Sequence, residues 1–196
     1  MSKGQETKAA ILDEALDLAS RVGFTGLTIG QLAEHTEMSK SGLFAHFQSK
    51  EELQLQALAH ARRKFIDVVV RPSLAAPRGE KRVREIFERW LTWDSQVLPG
   101  GCIFVTGSIE YDDRPGPMHD AIAADRRDWL ETIATVVATA IAEGDFREDV
   151  EPAQMAFELQ GLTLAYHNAS RMLADEQAPD RARTAFESIL DRARAR

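Results

Sequence analysis

Residues Leu27 to Leu53 read LTIGQLAEHTEMSKSGLFAHFQSKEEL, and the punctuation of this run decides how the first third of the chain folds. Thr28 precedes an apolar stripe of Ile29, Leu32 and Ala33, with Gln31 three residues on, the pattern of a capping box at a helix start. Glu37 and Met38 leave room only for a tight connection. Ser39 then caps a third helix of about eight residues, in which Leu43 and Phe47 share one face at i, i+4 spacing. Ser49 and Glu52 repeat the capping box and open a long helix through Leu53. Two short helices, a tight turn and a longer helix amount to helix-turn-helix geometry. Small Ala33 lets the short helices approach. With Leu43 and Phe47 turned inward, Lys40, Ser41, Gly42 and Ala45 face away, where such a helix can offer its N-terminal residues to base edges in a major groove.

Working outward, the preceding helix spans about Gln5 to Arg21, carries Ile11, Ala15, Leu18, Ala19 and Val22, and stops at Gly23, which can take a left-handed cap conformation. Phe24 turns back toward the core. The fourth helix runs through Leu58, Ala61, Phe65 and Val69 until Pro72 ends it. All seven prolines (Pro72, Pro77, Pro99, Pro115, Pro117, Pro152 and Pro179) lie beyond residue 71, and each is expected between helical segments. Val83 to Val97 mark a fifth helix closed by Pro99, Gly100 and Gly101, and Cys102 to Tyr111 a sixth. Met118, Ile122, Trp129, Ile133, Val137 and Ile141 mark a seventh, ahead of Gly144. An eighth opens at Pro152 with Met155, Leu159, Leu162, Tyr166 and Ala169, and a ninth follows Pro179 with Ala182, Phe186, Ile189, Leu190 and Ala193. Alternation of period two is almost absent. The expected fold class is all-α with about nine helices: a helix-turn-helix head at residues 1–50, a fourth helix (50–71) leading out of it, and a helical domain over 51–196.

The composition, 44% hydrophobic and 28% charged over 196 residues, is that of an ordinary globular protein. A single cysteine excludes an intrachain disulfide and a multi-cysteine zinc site and fits a reducing compartment, so a cytoplasmic location is expected. The longest mostly apolar stretch, Ile133 to Ala142, is far short of the roughly 20 residues a membrane span needs. Lys3, Glu6, Lys8 and Asp13 interrupt any N-terminal apolar run, leaving a secretory signal no place. The net charge of −7 argues mildly against a polyanionic partner. Its distribution weakens that objection: residues 1–63 carry seven Lys and Arg against eight Asp and Glu, the remainder 17 against 23. No G-x-S-x-G, H-E-x-x-H or G-x-x-x-x-G-K-[ST] run occurs, so no catalytic residue, and no enzyme, is read from the chain. Asp112, Asp113, His119 and Asp120 read as a solvated loop and helix start, so no metal or cofactor is expected.

The run Ser39-Lys40-Ser41-Gly42-Leu43-Phe44-Ala45-His46-Phe47, followed by Ser49-Lys50-Glu51-Glu52-Leu53, resembles the N-terminal signature of the TetR family of one-component transcriptional regulators. The resemblance covers about residues 5 to 60 and extends to the remainder through architecture. It implies that Thr28, His46 and Lys50 bind phosphates while Ser39, Lys40, Ser41, Gly42 and Ala45 lie against double-stranded operator DNA. Phe44 belongs to the same face, at the position where the family usually has a tyrosine whose hydroxyl reaches a phosphate, and Glu37 adds a negative charge at the turn. The resemblance also implies that residues 51–196 form a ligand-binding and dimerisation domain, with a homodimer built through the eighth and ninth helices. A palindromic operator and release by a small-molecule effector, hence repression, follow from it. Elementary physics agrees at Lys50, since free amides and the macrodipole at a helix N-terminus favour a bound anion.

Candidate effector contacts are Phe65, Phe87, Trp90, Phe104, Met118, Trp129 and Tyr166, with His119, Asn168 or Tyr166 supplying polar groups. Each apolar one reads equally well as core. Cys102, behind Pro99-Gly100-Gly101 at a helix start, is a candidate thiol sensor, set against its reading as a small packing residue. Arg192, Arg194 and Arg196 complement the dipole of the last helix. The alternative to a DNA-binding regulator is a small-molecule-binding or redox- and electrophile-sensing helical module with altered or lost DNA binding.

Overall fold

In the computed structural model, which describes residues 3–195, the apolar stripes become helices joined by short turns, and the described residues contain no strand. The order is α1 (Lys3–Gly26), α2 (Ile29–Thr36), α3 (Lys40–Phe44), α4 (Lys50–Phe65), α5 (Arg71–Ala75), α6 (Glu80–Thr92), α7 (Ile103–Glu110), α8 (Pro117–Ala142), α9 (Pro152–Arg171) and α10 (Ala178–Ala193). Two π-helical stretches, Ile66–Val70 and Trp93–Val97, continue α4 and α6 without a break. The eighth and ninth helices read from the sequence are therefore α9 and α10. Arg196 lies outside the described residues.

Pro72 does not end the fourth helix. Helical residues continue through the π stretch Ile66–Val70 to Ala75, with Pro72 in the first turn of α5. Proline lacks the amide that would serve the carbonyl four residues back, and its ring crowds that carbonyl. The structure accommodates both effects. A π-helical stretch precedes the proline, Arg89 Nη1 reaches the Val68 carbonyl at 3.5 Å, and the Ser73 hydroxyl donates to the Val69 carbonyl at 2.6 Å.

The remaining corrections are local. α3 has five helical residues, because the amides of His46 and Phe47 both turn in on the Leu43 carbonyl and close the helix early. Along α1 the inner stripe is Ile11, Leu12, Ala15, Leu16 and Ala19, whereas Val22 is exposed and Leu18 half-buried. Gly23, at φ 75, breaks α1 as expected, and Phe24 is fully buried. At the two capping boxes Thr28 and Ser49 accept from the amides of Gln31 and Glu52. The return arms differ from the usual pattern: Gln31 meets the Thr28 hydroxyl, and Glu52 accepts from the Gln48 amide.

Contacts group the chain into two compact units, Met1–Phe65 with Ser95–Asp125 and Ile66–Asp94 with Arg126–Arg196. The first is built on α1, α2, α3, α4 and α7 around Leu16, Phe24, Leu32, Leu43, Phe47 and Leu53. In the second, α6 lies along α10, with Phe87 stacked on Phe186 at 4.0 Å between ring centroids. An ion network rims this seam. Glu80 receives Arg194 through Nε and Nη2, both at 2.8 Å, and Arg84 Nε at 2.7 Å, while Glu187 accepts from the Arg84 guanidinium.

Candidate functional site

α2 and α3 present the expected outward face. Leu43 and Phe47 are fully buried and anchor α3, as Leu32 and Ala33 anchor α2. Ser39, Lys40, Ser41, Ala45 and Lys50 are exposed, Gly42, His46 and Thr28 half-buried, and Phe44 is 52% exposed. An apolar ring so open to water gains nothing from the core and is available to a partner. Ser39 accepts the Gly42 amide at 3.1 Å, fixing the entry to α3, and Lys40 lies over Gly30, its ammonium 3.7 Å from where a Cβ would stand there. Glu37 closes α2 in the left-handed conformation, at φ 55 and ψ 22, a position that glycine or asparagine fills at less cost.

Lys50, at the first position of α4, donates from its ammonium to the Thr25 carbonyl at 2.6 Å, and this draws in residues the sequence did not single out. The connection Phe24–Leu27 is held from two sides. Glu110, at the end of α7, accepts the Phe24 amide at 2.7 Å, the Thr25 amide at 3.4 Å and the Thr25 hydroxyl at 3.0 Å. Gln54 on α4 donates to the carbonyls of Phe24 and Leu27. Tyr111 donates its phenol to Gln54 Oε1 at 3.3 Å; burial, with the Glu110 charge adding, pushes that phenol above its usual range and keeps it a donor. Glu110 stands 85 and 86 positions from its partners, so no local pattern could have exposed it.

The candidate effector residues are all buried and are divided between the two units. Phe65 meets Phe104 edge-on at 5.5 Å, and both belong with Met118 to the first unit. Trp90 meets Tyr166 edge-on at 5.9 Å in the second unit, which also holds Trp129 and Phe87, the latter committed to Phe186. Of the polar candidates, Asn168 is exposed and His119 pairs with its neighbour Asp120 at 3.0 Å. The polar residues that α9 does turn inward are Gln160, Thr163 and, one residue before Asn168, His167. His167 Nδ1 lies 2.6 Å from Oδ1 of Asp94, a buried carboxylate in the second π stretch, and the buried Gln160 amide meets no partner among the described residues. Cys102 is buried as the N-cap of α7. Among the described residues no three His, Cys, Asp or Glu side chains gather as metal ligands, and no helix is long and apolar enough to cross a membrane.

Comparison with known proteins agrees with this layout. Residues 11–57 match the bacterial regulatory proteins of the tetR family, and residues 79–186, more than half of the chain, match the tetracyclin repressor-like C-terminal domain. Over 65 residues the chain is 40% identical to the HTH-type transcriptional regulator RutR of Escherichia coli K12; the match takes in 33% of this chain and 29% of that protein, so it spans under a third of the relative's length. A TetR transcriptional regulator of Chloroflexus aurantiacus superposes over the whole of both chains with a TM-score of 0.87 and 27% identity. AibR, solved in complex with isovaleryl coenzyme A and operator DNA, has the same fold at a TM-score of 0.68 and 21% identity, over 82% of this chain and 85% of its own. The chain belongs to the TetR family of bacterial transcriptional regulators.

Proposed function

We propose that the protein is a cytoplasmic, homodimeric repressor that binds a palindromic operator through residues 1–50 and is released when a small-molecule effector binds within residues 51–196. The observation that carries this reading is the α3 face, with Ser39, Lys40, Ser41, Phe44 and Ala45 outward and Leu43 and Phe47 locked beneath. Phosphate contacts from Thr28, His46 and Lys50 supply affinity and register, and the α3 side chains supply base choice. Dimerisation through α9 and α10 is supported by an apolar row on α9, where Phe157 is 69% and Leu164 41% exposed around Gly161, with Met172 and Leu173 exposed just beyond. A monomer gains nothing by presenting that row to water, and a two-fold partner would cover it. Operator DNA and a ligand occur together in the AibR structure, which supports, at the level of the fold, an effector site in this chain's C-terminal helices. The Trp90–Tyr166 pair, His167–Asp94 and the Gln160 amide offer such a ligand apolar walls and polar groups. The burial of Cys102 supports packing rather than sensing. Fluorescence anisotropy with duplexes from upstream of the protein's own gene, at two salt concentrations and with excess competitor DNA, tests the proposal. Tight, salt-sensitive binding to one inverted repeat is expected, and competitor-insensitive binding to none would overturn it.

A further inference from the structure

We propose that Glu110 is a positioning residue for DNA binding, holding the Phe24–Leu27 connection so that Thr28 and Lys50 present themselves to phosphates. The inference rests on the DNA-binding reading above. Every polar backbone group of Phe24 and Thr25 is claimed: the two amides by the Glu110 carboxylate, the Phe24 carbonyl by Gln54 and the Thr25 carbonyl by the Lys50 ammonium. The carboxylate occupies space that only glycine leaves, since a Cβ on Gly23 would stand 1.7 Å from its Oε1, and Gly23 also supplies the left-handed φ of 75 that starts the connection. Bonds from amide donors to a charged acceptor are stronger than neutral ones. The connection runs directly into Thr28, the cap of α2, and its Thr25 carbonyl holds the Lys50 ammonium. Lys50 is thereby ordered before DNA arrives, and its ordering cost is not charged to binding.

The alternative role has the opposite sign. A carboxylate that merely stood near the phosphate-binding face would repel DNA, and removing it would tighten binding. A carboxylate that holds the connection strengthens binding, and removing it weakens binding. Wild type, Glu110→Ala, Glu110→Gln, Lys50→Ala and the Glu110→Ala/Lys50→Ala double variant are titrated against the operator duplex by anisotropy over a range of salt concentrations, with thermal unfolding of each. Glu110→Ala is expected to weaken operator binding about tenfold and to flatten the slope of log affinity against log salt by about one. Glu110→Gln, which keeps an acceptor oxygen at the same reach, is expected to lose about threefold and carries the test if the alanine variant does not fold. The double variant should lose less than the two single losses combined, because both act through one contact. If wild type binds no duplex, the DNA-binding reading falls and the positioning role with it. If wild type binds but the folded Glu110 variants bind as well or better, keep the salt slope, or add fully with Lys50→Ala, only the positioning role is overturned.

Discussion

Replacing Glu80 by glutamine keeps the shape of the side chain and removes the charge at the centre of the α6–α10 network. In the folded protein the paired bonds from Arg194, with Arg84 beside them, pull the Glu80 carboxyl from 4.5 down to about 2, against burial, which acts to raise it. A group whose folded pKa is depressed contributes stability that is complete above its unfolded value and is lost as pH falls through the folded one. Here that window runs from about 4.5 down to about 2. Taken whole, the depression is worth at most about 3 kcal/mol. Arg84 and Arg194 are each 36% exposed, so water screens much of that, and about 1 kcal/mol is the expected loss. For a chain of this length that is a fall in Tm of roughly 2–4 °C at pH 7. Urea unfolding of wild type and Glu80→Gln at pH 7, 5, 4 and 3 should show the gap narrowing below about 4.5, and added salt should narrow it at pH 7. A gap that stays constant or widens in acid would refute the assignment of that stability to the Glu80 charge.

Three further outcomes are expected. Lys50→Ala should weaken binding to operator and non-specific duplexes alike and flatten the salt slope by about one unit, whereas changes at Lys40 or Ser41 should alter sequence preference; an unchanged slope in anisotropy titrations would place Lys50 off the phosphate backbone. Glu37→Gly should raise stability by about 0.5 kcal/mol, since relief of the left-handed strain outweighs the added freedom of the unfolded chain, and it should also tighten DNA binding by removing an anion from the turn; urea unfolding and anisotropy check the two effects separately. Phe157→Arg should convert a dimer to a monomer in size-exclusion chromatography with light scattering while leaving the helical circular dichroism intact, and a dimer that survives would move the interface away from that face of α9.

The helix-turn-helix head was legible because its signals are local. Thr28, Ser39 and Ser49 each cap an amide within three residues, and Leu43 and Phe47 meet the core through a single turn, so spacing alone carries the information. The same holds for Gly23, whose left-handed role depends only on its own missing Cβ. Pro72 departs from the local rule because its effect depends on neighbours. Proline ends a helix where the stranded carbonyl has no other donor, and here Arg89, from α6, supplies one.

The chain's sequence determined by itself the helical class, the head and the outward set from Ser39 to Lys50, since periodicity, capping and side-chain direction act over one or two turns. Only tertiary structure decided that α9 turns His167 rather than Asn168 inward to meet Asp94, because adjacent helical positions differ by about 100° and the packing against α6 selects one of them. Tertiary structure likewise sorted the candidate effector aromatics, giving Phe87 to Phe186 and Trp90 to Tyr166. It also placed Glu110 beneath the connection that leads to Thr28, because a bond across 86 residues is set by how helices pack and leaves no mark in the spacing of a sequence.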